Sequence, residues 1–222
     1  MRTVLVVAPH PDDETLGCGG TLLRHCQEGD AVHWMIVSEM TSDGGYSLDQ
    51  IQRRNKEISS VAEAYKFEGV HRLGFPSSQL DTYSIKSIVD AMAVIFRSIS
   101  PNILYLPFPA DAHTDHQISF KAASACTKAF RFNSVRKVMC MEIPSETNFS
   151  ITPIDREFRP NCYVDINPFL NQKVSIMELY DGEISDFPFP RSDRAIKSLA
   201  YLRGAEAGRF ACESFMLLRE IY

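Results

Sequence analysis

The stretch Thr3-Val4-Leu5-Val6-Val7-Ala8-Pro9-His10-Pro11-Asp12-Asp13-Glu14 decides the fold. Residues 4–8 are apolar without interruption, as expected of a strand covered on both faces. The run breaks at once into prolines, a histidine and three acids. Residues 15–28 follow with Leu16, Leu22, Leu23 and Cys26 at helical spacing and Gly29 as a stop. A buried strand that turns directly into a helix is the first half of a βαβ unit. The apolar run is too short for a membrane helix. It also lacks the length and the small-residue cleavage site of a signal peptide.

The same alternation recurs along the chain. Strands are expected over 32–37, 70–75, 102–106 and 135–143, and helices over 49–65, 84–99 and 114–130. Such repetition implies parallel strands joined by right-handed helical crossovers. The fold class is therefore α/β: a Rossmann-like three-layer sandwich with a mainly parallel sheet of about five strands. A less regular C-terminal extension follows. Residues 145–160 read as a long loop and 163–166 as a strand. Residues 171–183 and 194–206 read as helices, and 215–221 as a strand or helix. The expected organisation is a single domain over 1–222, with a core over 1–143 and an extension over 144–222 that completes a substrate crevice.

Composition narrows the function classes. The chain has 222 residues, 23 Lys+Arg against 28 Asp+Glu, a net charge of −5 and 45% hydrophobic residues. That apolar content rules out disorder. The negative balance argues against a nucleic-acid binder. The six cysteines form no Cys-x-x-Cys pair. They read as small buried hydrophobes rather than a disulfide framework, with the cytoplasm as the compartment.

In a doubly wound sheet, ligands bind outside the C-terminal strand ends at the switch point. Two clusters fall there: His10-Pro11-Asp12-Asp13-Glu14 after the first strand and His113-Thr114-Asp115-His116 after the fourth. Those two strands should be neighbours, so their loops should face each other. His10, Asp13 and His116 are then a three-ligand set for one divalent ion, with a position left open as in catalytic zinc. Asp12 is placed to take a proton from water and His113 to give one to a leaving group. Asp115 should hold an imidazole in one tautomer, and beside His113 it should favour the charged ring and raise that pKa against the charge of the metal. Taken singly, each cluster also reads as a turn capping the next helix. Their pairing at neighbouring strand ends favours a site.

These motifs resemble a known family. Ala8-Pro9-His10-Pro11-Asp12-Asp13-Glu14 with Leu16-Gly17-Cys18-Gly19-Gly20-Thr21 is similar to the first signature of the LmbE-like or PIG-L deacetylases, and His113-Thr114-Asp115-His116 to the second. Arg54 and Glu57, Leu73-Gly74-Phe75-Pro76 with Asp81, Arg203-Gly204, and Ala211-Cys212-Glu213-Ser214-Phe215 extend the likeness over nearly the whole chain. The resemblance implies a zinc-dependent hydrolase that removes acetyl groups from N-acetylglucosamine-type sugars. It implies His10, Asp13 and His116 as ligands of Zn2+, with Fe2+ or another divalent ion as the alternative. It makes Asp12 the general base, His113 the acid and oxyanion partner, and Asp115 the orienting group. Arg54 either touches substrate or pairs with Glu57. Several relatives carry a tyrosine shortly before the second motif. Here Asp111 stands in that neighbourhood and is expected to bond a sugar hydroxyl.

Glu142 opens a polar segment, 142–149, aimed at the same crevice as a further substrate contact. The Phe187-Pro188-Phe189-Pro190 run with Arg191-Ser192 reads as a rim element, a helix start, or a contact in a homo-oligomer. The partner expected is a small N-acetylated sugar or glycoconjugate, with no nucleic acid and no transmembrane segment. Rival readings are an amidase of a sugar–thiol conjugate, a non-heme iron oxygenase, and an inactive metal- or sugar-binding protein. The oxygenase lacks a histidine downstream of His116. The inactive binder would need neither Asp12 nor His113. Gly17, Gly19 and Gly20 do not match a dinucleotide fingerprint, and three carboxylates stand where a pyrophosphate would lie.

Overall fold

Side chains 4–8 are all fully buried, alternately on two faces, because helices cover the sheet on both sides. The computed structural model describes residues 1–151 and 157–222. The elements in chain order are β1 (Thr3–Ala8), α1 (Asp13–Gln27), β2 (Ala31–Glu39), α2 (Leu48–Tyr65), β3 (Gly69–Pro76), α3 (Ile85–Ile99) and β4 (Ile103–Leu106). They continue with α4 (Thr114–Ala125), β5 (Lys137–Met141), β6 (Cys162–Asp165), α5 (Leu170–Met177), α6 (Asp193–Ala207) and β7 (Cys212–Glu220). The strand order is β3-β2-β1-β4-β5-β7-β6. The first five strands are parallel, and β7 runs antiparallel to β5 and β6.

The layers follow from the period of two along each strand. Val4, Val6, Ala8, Trp34 and Ile36 share a core with residues of α1, α2 and α5. Leu5, Val7, Met35, Val37 and Leu104 share the other with α3 and α4. Each of the valine, leucine, isoleucine and methionine side chains contributes about 1.5–3 kcal/mol by leaving water. Serines cap α2, α3 and α6: Ser47, Ser84 and Ser192 each accept an N–H of the first turn.

Three expectations need correction. The sheet has seven strands rather than about five, because the C-terminal segment adds β6 and β7 to the same sheet. Helix α4 stops at Ala125 rather than 130, closed by short bonds from Cys126 N–H to Ala123 O (2.9 Å) and Thr127 N–H to Ser124 O (3.2 Å). Helix α5 ends at Met177, after which Tyr180 N–H bonds Met177 O (3.1 Å) and Gly182 takes φ 84°. Part of the loop expected over 145–160 lies outside the described residues. Among the described residues, no helix is long and apolar enough to cross a membrane.

Helix α1 is buried on nearly all sides and kinked at Cys18 (φ −150°). The kink leaves backbone donors free mid-helix, and Glu213 accepts them from Gly20 (2.9 Å) and Thr21 (2.7 Å). Lys173 bridges Glu213 (2.7 Å) and Leu16 O (2.9 Å) beneath it. A Cβ on Gly20 would lie 2.7 Å from Ile166 Cβ. That glycine exists for close packing of α1, not for a phosphate.

Candidate active site

The turn from β1 into α1 sets the first half of the site. Asp12 sits at φ 126°, a region that costs a residue with a Cβ about 1–3 kcal/mol. The surrounding bonds hold it there: Asp12 O accepts Thr15 N–H (3.0 Å) and Leu16 N–H (2.9 Å), and Asp12 N–H donates to Glu14 Oε2 (3.0 Å). Glu14 is itself buried against the Tyr180 hydroxyl (2.7 Å). Burial pushes its carboxyl up to about 7. Asp13 opens α1 and accepts the His10 N–H on Oδ2 (2.8 Å). The second half is the start of α4. There His113 is the N-cap, with Nδ1 accepting the Asp115 N–H (3.1 Å). Since β1 and β4 pair directly, both loops open at one end of the sheet.

The structure brings His10, Asp13 and His116 together. His10 Nδ1 lies 3.5 Å and His116 Nε2 3.2 Å from Asp13 Oδ2. Each ring's other nitrogen has a carboxylate partner: His10 Nε2 with Asp115 Oδ2 (3.1 Å) and His116 Nδ1 with Asp111 Oδ2 (2.9 Å). Those bonds hold both rings so that His10 Nδ1 and His116 Nε2 converge beside Asp13, where each offers a lone pair once its proton leaves. This donor set suits a divalent ion with an open position. A second grouping, His10 with His113 and Asp115, suits one less. The buried Asp115 carboxylate already takes Ser78 N–H (2.7 Å), Leu80 N–H (3.2 Å) and His10.

The charges in the cluster compensate one another. Burial disfavours a charged His10, but its bonds to Asp115 and Asp13 outweigh that and raise its pKa to about 9. Burial likewise opposes charge on His116, and Asp13 and Asp111 overcome it, to about 10. Asp13 in turn is held well below the usual carboxylate range, because the two imidazoles outweigh its burial. Two raised histidines around a depressed aspartate mark a site that attracts positive charge.

Several expectations change. The histidine that Asp115 holds is His10: its carboxylate meets that ring, and only its backbone N–H meets His113. The His113 pKa is lowered rather than raised, because burial and the neighbouring His10 outweigh the Asp115 charge. With Nδ1 occupied as an acceptor, the neutral ring carries its proton on Nε2, 3.5 Å from Ser78 Oγ. Asp111 is fully buried and holds His116 and the Thr147 hydroxyl (2.7 Å), so it is not positioned to meet a sugar. Glu142 faces away from the crevice, bonded to Arg203 (2.5 and 2.8 Å) and Ser214 (2.6 Å). Arg54 lines the crevice, but its guanidinium pairs with Glu183 (2.5 Å) and Glu57 (3.2 Å) and reaches Pro11 O (3.3 Å).

The crevice itself holds about 190 Å³ and is lined by His10, Asp12, His113 and Arg54. Glu39, Tyr46, Glu146, Glu183 and Arg191 also line it. Arg191 is the residue that sequence reasoning underrated. Its Nη1 meets Asp12 Oδ2 (2.7 Å) and Glu183 Oε2 (2.9 Å), and its Nε donates to Ser145 Oγ (2.9 Å). Burial and Asp13 raise the Asp12 pKa well above its usual value, and Arg191 opposes them. The Arg191-Ser192 pair was legible as a rim element or a helix start, and it is both, since Ser192 caps α6. Glu146 takes the His113 N–H (3.1 Å), so the segment after β5 does reach the crevice, through Glu146 rather than Glu142.

Known proteins resemble this chain in sequence and in fold. The family profile described as PIG-L: GlcNAc-PI de-N-acetylase matches residues 5–127. The chain is 23% identical over 232 residues to the diacetylchitobiose deacetylase of Thermococcus kodakarensis, an alignment spanning 100% of the chain and 85% of that protein. The conserved protein TT1542 of Thermus thermophilus superposes with a TM-score of 0.79 at 26% identity, covering 100% of this chain and 97% of that one. The 4-carboxy-2-hydroxymuconate hydratase GalB of Pseudomonas putida superposes at 0.76 with 17% identity, covering 100% and 98%. At that identity the likeness shows a shared fold alone.

Proposed function

Because the chain belongs to the PIG-L family of GlcNAc-PI de-N-acetylases, we propose that it hydrolyses the N-acetyl group of an N-acetylglucosamine-type sugar or glycoconjugate. One observation carries this reading: Asp12 and His113 line the same crevice as His10, whose Nδ1 converges with His116 Nε2 on Asp13. Relatives named as deacetylases of diacetylchitobiose and of an N-acetylglucosaminyl malate support the substrate class.

His10 Nδ1, Asp13 and His116 Nε2 would hold the metal, with zinc as the first choice and ferrous iron as the second. Such an ion supplies Lewis acidity toward the acetyl carbonyl and lowers the pKa of water. The chain's own residues do the rest. Asp12 takes the proton of the attacking water, and Arg191 holds its carboxylate in place and opposes the rise in its pKa. As the C–N bond breaks, the same Asp12 returns that proton to the amine nitrogen. The His113 Nε2–H donates to the acetyl oxygen as charge builds there, the role of a preorganised oxyanion donor. This division replaces the expected cationic acid at His113, since Nδ1 is already committed to the Asp115 N–H. Tyr46 offers a face for a sugar ring, and Glu39, Glu146 and Glu183 offer acceptors for hydroxyls.

Amide cleavage of a sugar–thiol conjugate would use the same groups on a larger substrate. The six cysteines are all unpaired, which supports a reducing compartment such as the cytoplasm. The test is a panel of N-acetylated mono- and disaccharides and glycoconjugates, with zinc-loaded protein, reading acetate and free amine together. Equimolar acetate and amine from at least one member is the expected result. Release of neither from any member overturns the reading.

A further inference from the structure

A larger cavity, about 510 Å³, lies away from the crevice, beside the C-terminal half of α1, where β4, β5 and β6 line it. Binding pockets for small molecules run from about 300 to 1,000 Å³. Its wall is apolar, with Ile103, Met139 and Val164 on three strands. Its rim is cationic. Arg2, Arg24, Arg136 and Lys137 line it against two carboxylates, Glu28 and Glu220, in a chain whose net charge is −5. Both carboxylates are already paired: Glu28 with Arg2 (2.8 Å) and Arg24 (2.9 Å), and Glu220 with Lys137 (3.4 Å). Among the described residues, no group partners the Arg136 guanidinium.

Thr21 lines the cavity and is 1% exposed, but its Oγ1 is closed off from it and has no hydrogen-bond partner. Beside it, His25 bonds Asp30 through Nδ1 (2.8 Å) and Tyr105 through Nε2 (2.9 Å). His25, Glu28 and Asp30 come close enough to suggest a cation. Arg2 already neutralises both of those carboxylates, however, and leaves a cation little to bind.

We propose that this cavity is a second binding site, for a small organic anion with an apolar body. The body lies on the strand wall, and the anionic group meets Arg136 and its cationic neighbours. The site touches none of the residues placed in the crevice.

The probe is anilinonaphthalene sulfonate, an apolar ring system with one anionic group, titrated by fluorescence into the zinc-loaded full chain. One saturable site per chain is expected. Arg136→Glu should weaken it about tenfold at low salt, and less at high salt. Thr21→Val should leave probe affinity unchanged, because its Oγ1 is closed off from the cavity, and should keep or raise Tm, because it removes an unpaired buried hydroxyl. Inorganic phosphate should compete only weakly, since it lacks the body. Non-saturable binding, equal affinity in wild type and Arg136→Glu, or displacement of the probe by an N-acetylated sugar would overturn the proposal. Arg136 is exposed, so its variant tests the site even if Thr21→Val fails to fold.

Discussion

Metal uptake by this protein should be strongly coupled to protons. Without an ion, His10 titrates at about 9 and His116 at about 10, so both imidazoles are charged at neutral pH. A ligand nitrogen must be neutral, so zinc has to displace both protons. Zinc binding at pH 7 should therefore release about two protons per ion. Apparent affinity should climb about 100-fold per pH unit up to about 9, about tenfold from there to about 10, and then level. The sign for stability runs the other way. Both groups have folded pKa values above the ordinary ~6.5, so their contribution is full below about 6.5 and is lost as pH rises through 9 and 10. The metal-free protein should melt at progressively lower temperature across that window, and zinc should reverse the loss. The assay is calorimetric titration of zinc into metal-free protein in two buffers of different ionisation enthalpy. Release of fewer than about one proton per ion would refute the reasoning, because it would mean that zinc enters without discharging this histidine pair.

Four further outcomes follow from the same geometry. Arg191→Ala should leave zinc content unchanged and move the acid limb of kcat/KM to higher pH, because burial and Asp13 then raise Asp12 unopposed; an unmoved limb would show that Arg191 does not act on Asp12. His113→Ala should retain zinc and lose about 10²–10³ in kcat, the usual worth of one oxyanion donor. An alkaline limb in the wild-type profile that vanishes in this variant would instead restore a cationic acid at His113. Asp111→Ala should weaken zinc binding about 10- to 100-fold by freeing the His116 ring, as measured with a competing chelator. Gly20→Ala should destabilise the fold by about 1–3 kcal/mol in urea, through the contact with Ile166.

What the sequence revealed was local. His10 to Glu14 and His113 to His116 are short segments, and their place after apolar strands put them at one end of one sheet. The pairing of β1 with β4 then did the rest. The partners of those residues were not legible, because they arrive from distant loops. The Asp115 carboxylate is fixed by backbone donors of Ser78 and Leu80, 35 to 37 positions earlier, and so turns to His10. Arg191 meets Asp12 across 179 positions, and only the fold of the C-terminal segment closes that distance. Asp111 and Glu142 look like free acids in sequence, but each is bound into a buried network. The two added strands were hard to read for a different reason. β6 has four residues, and β7 lies between two strands that precede it in the chain.

The central claim is that Asp12 handles the proton of the attacking water while the ion is held by other residues. The most direct measurement compares wild type and Asp12→Asn, at equal measured zinc occupancy, for acetate release from an N-acetylglucosamine-type substrate. The account predicts the same zinc content in both and a fall in kcat of at least about 10²-fold in the variant, since an amide cannot accept the proton. Turnover by Asp12→Asn within a few-fold of wild type, or loss of zinc together with activity, would contradict it.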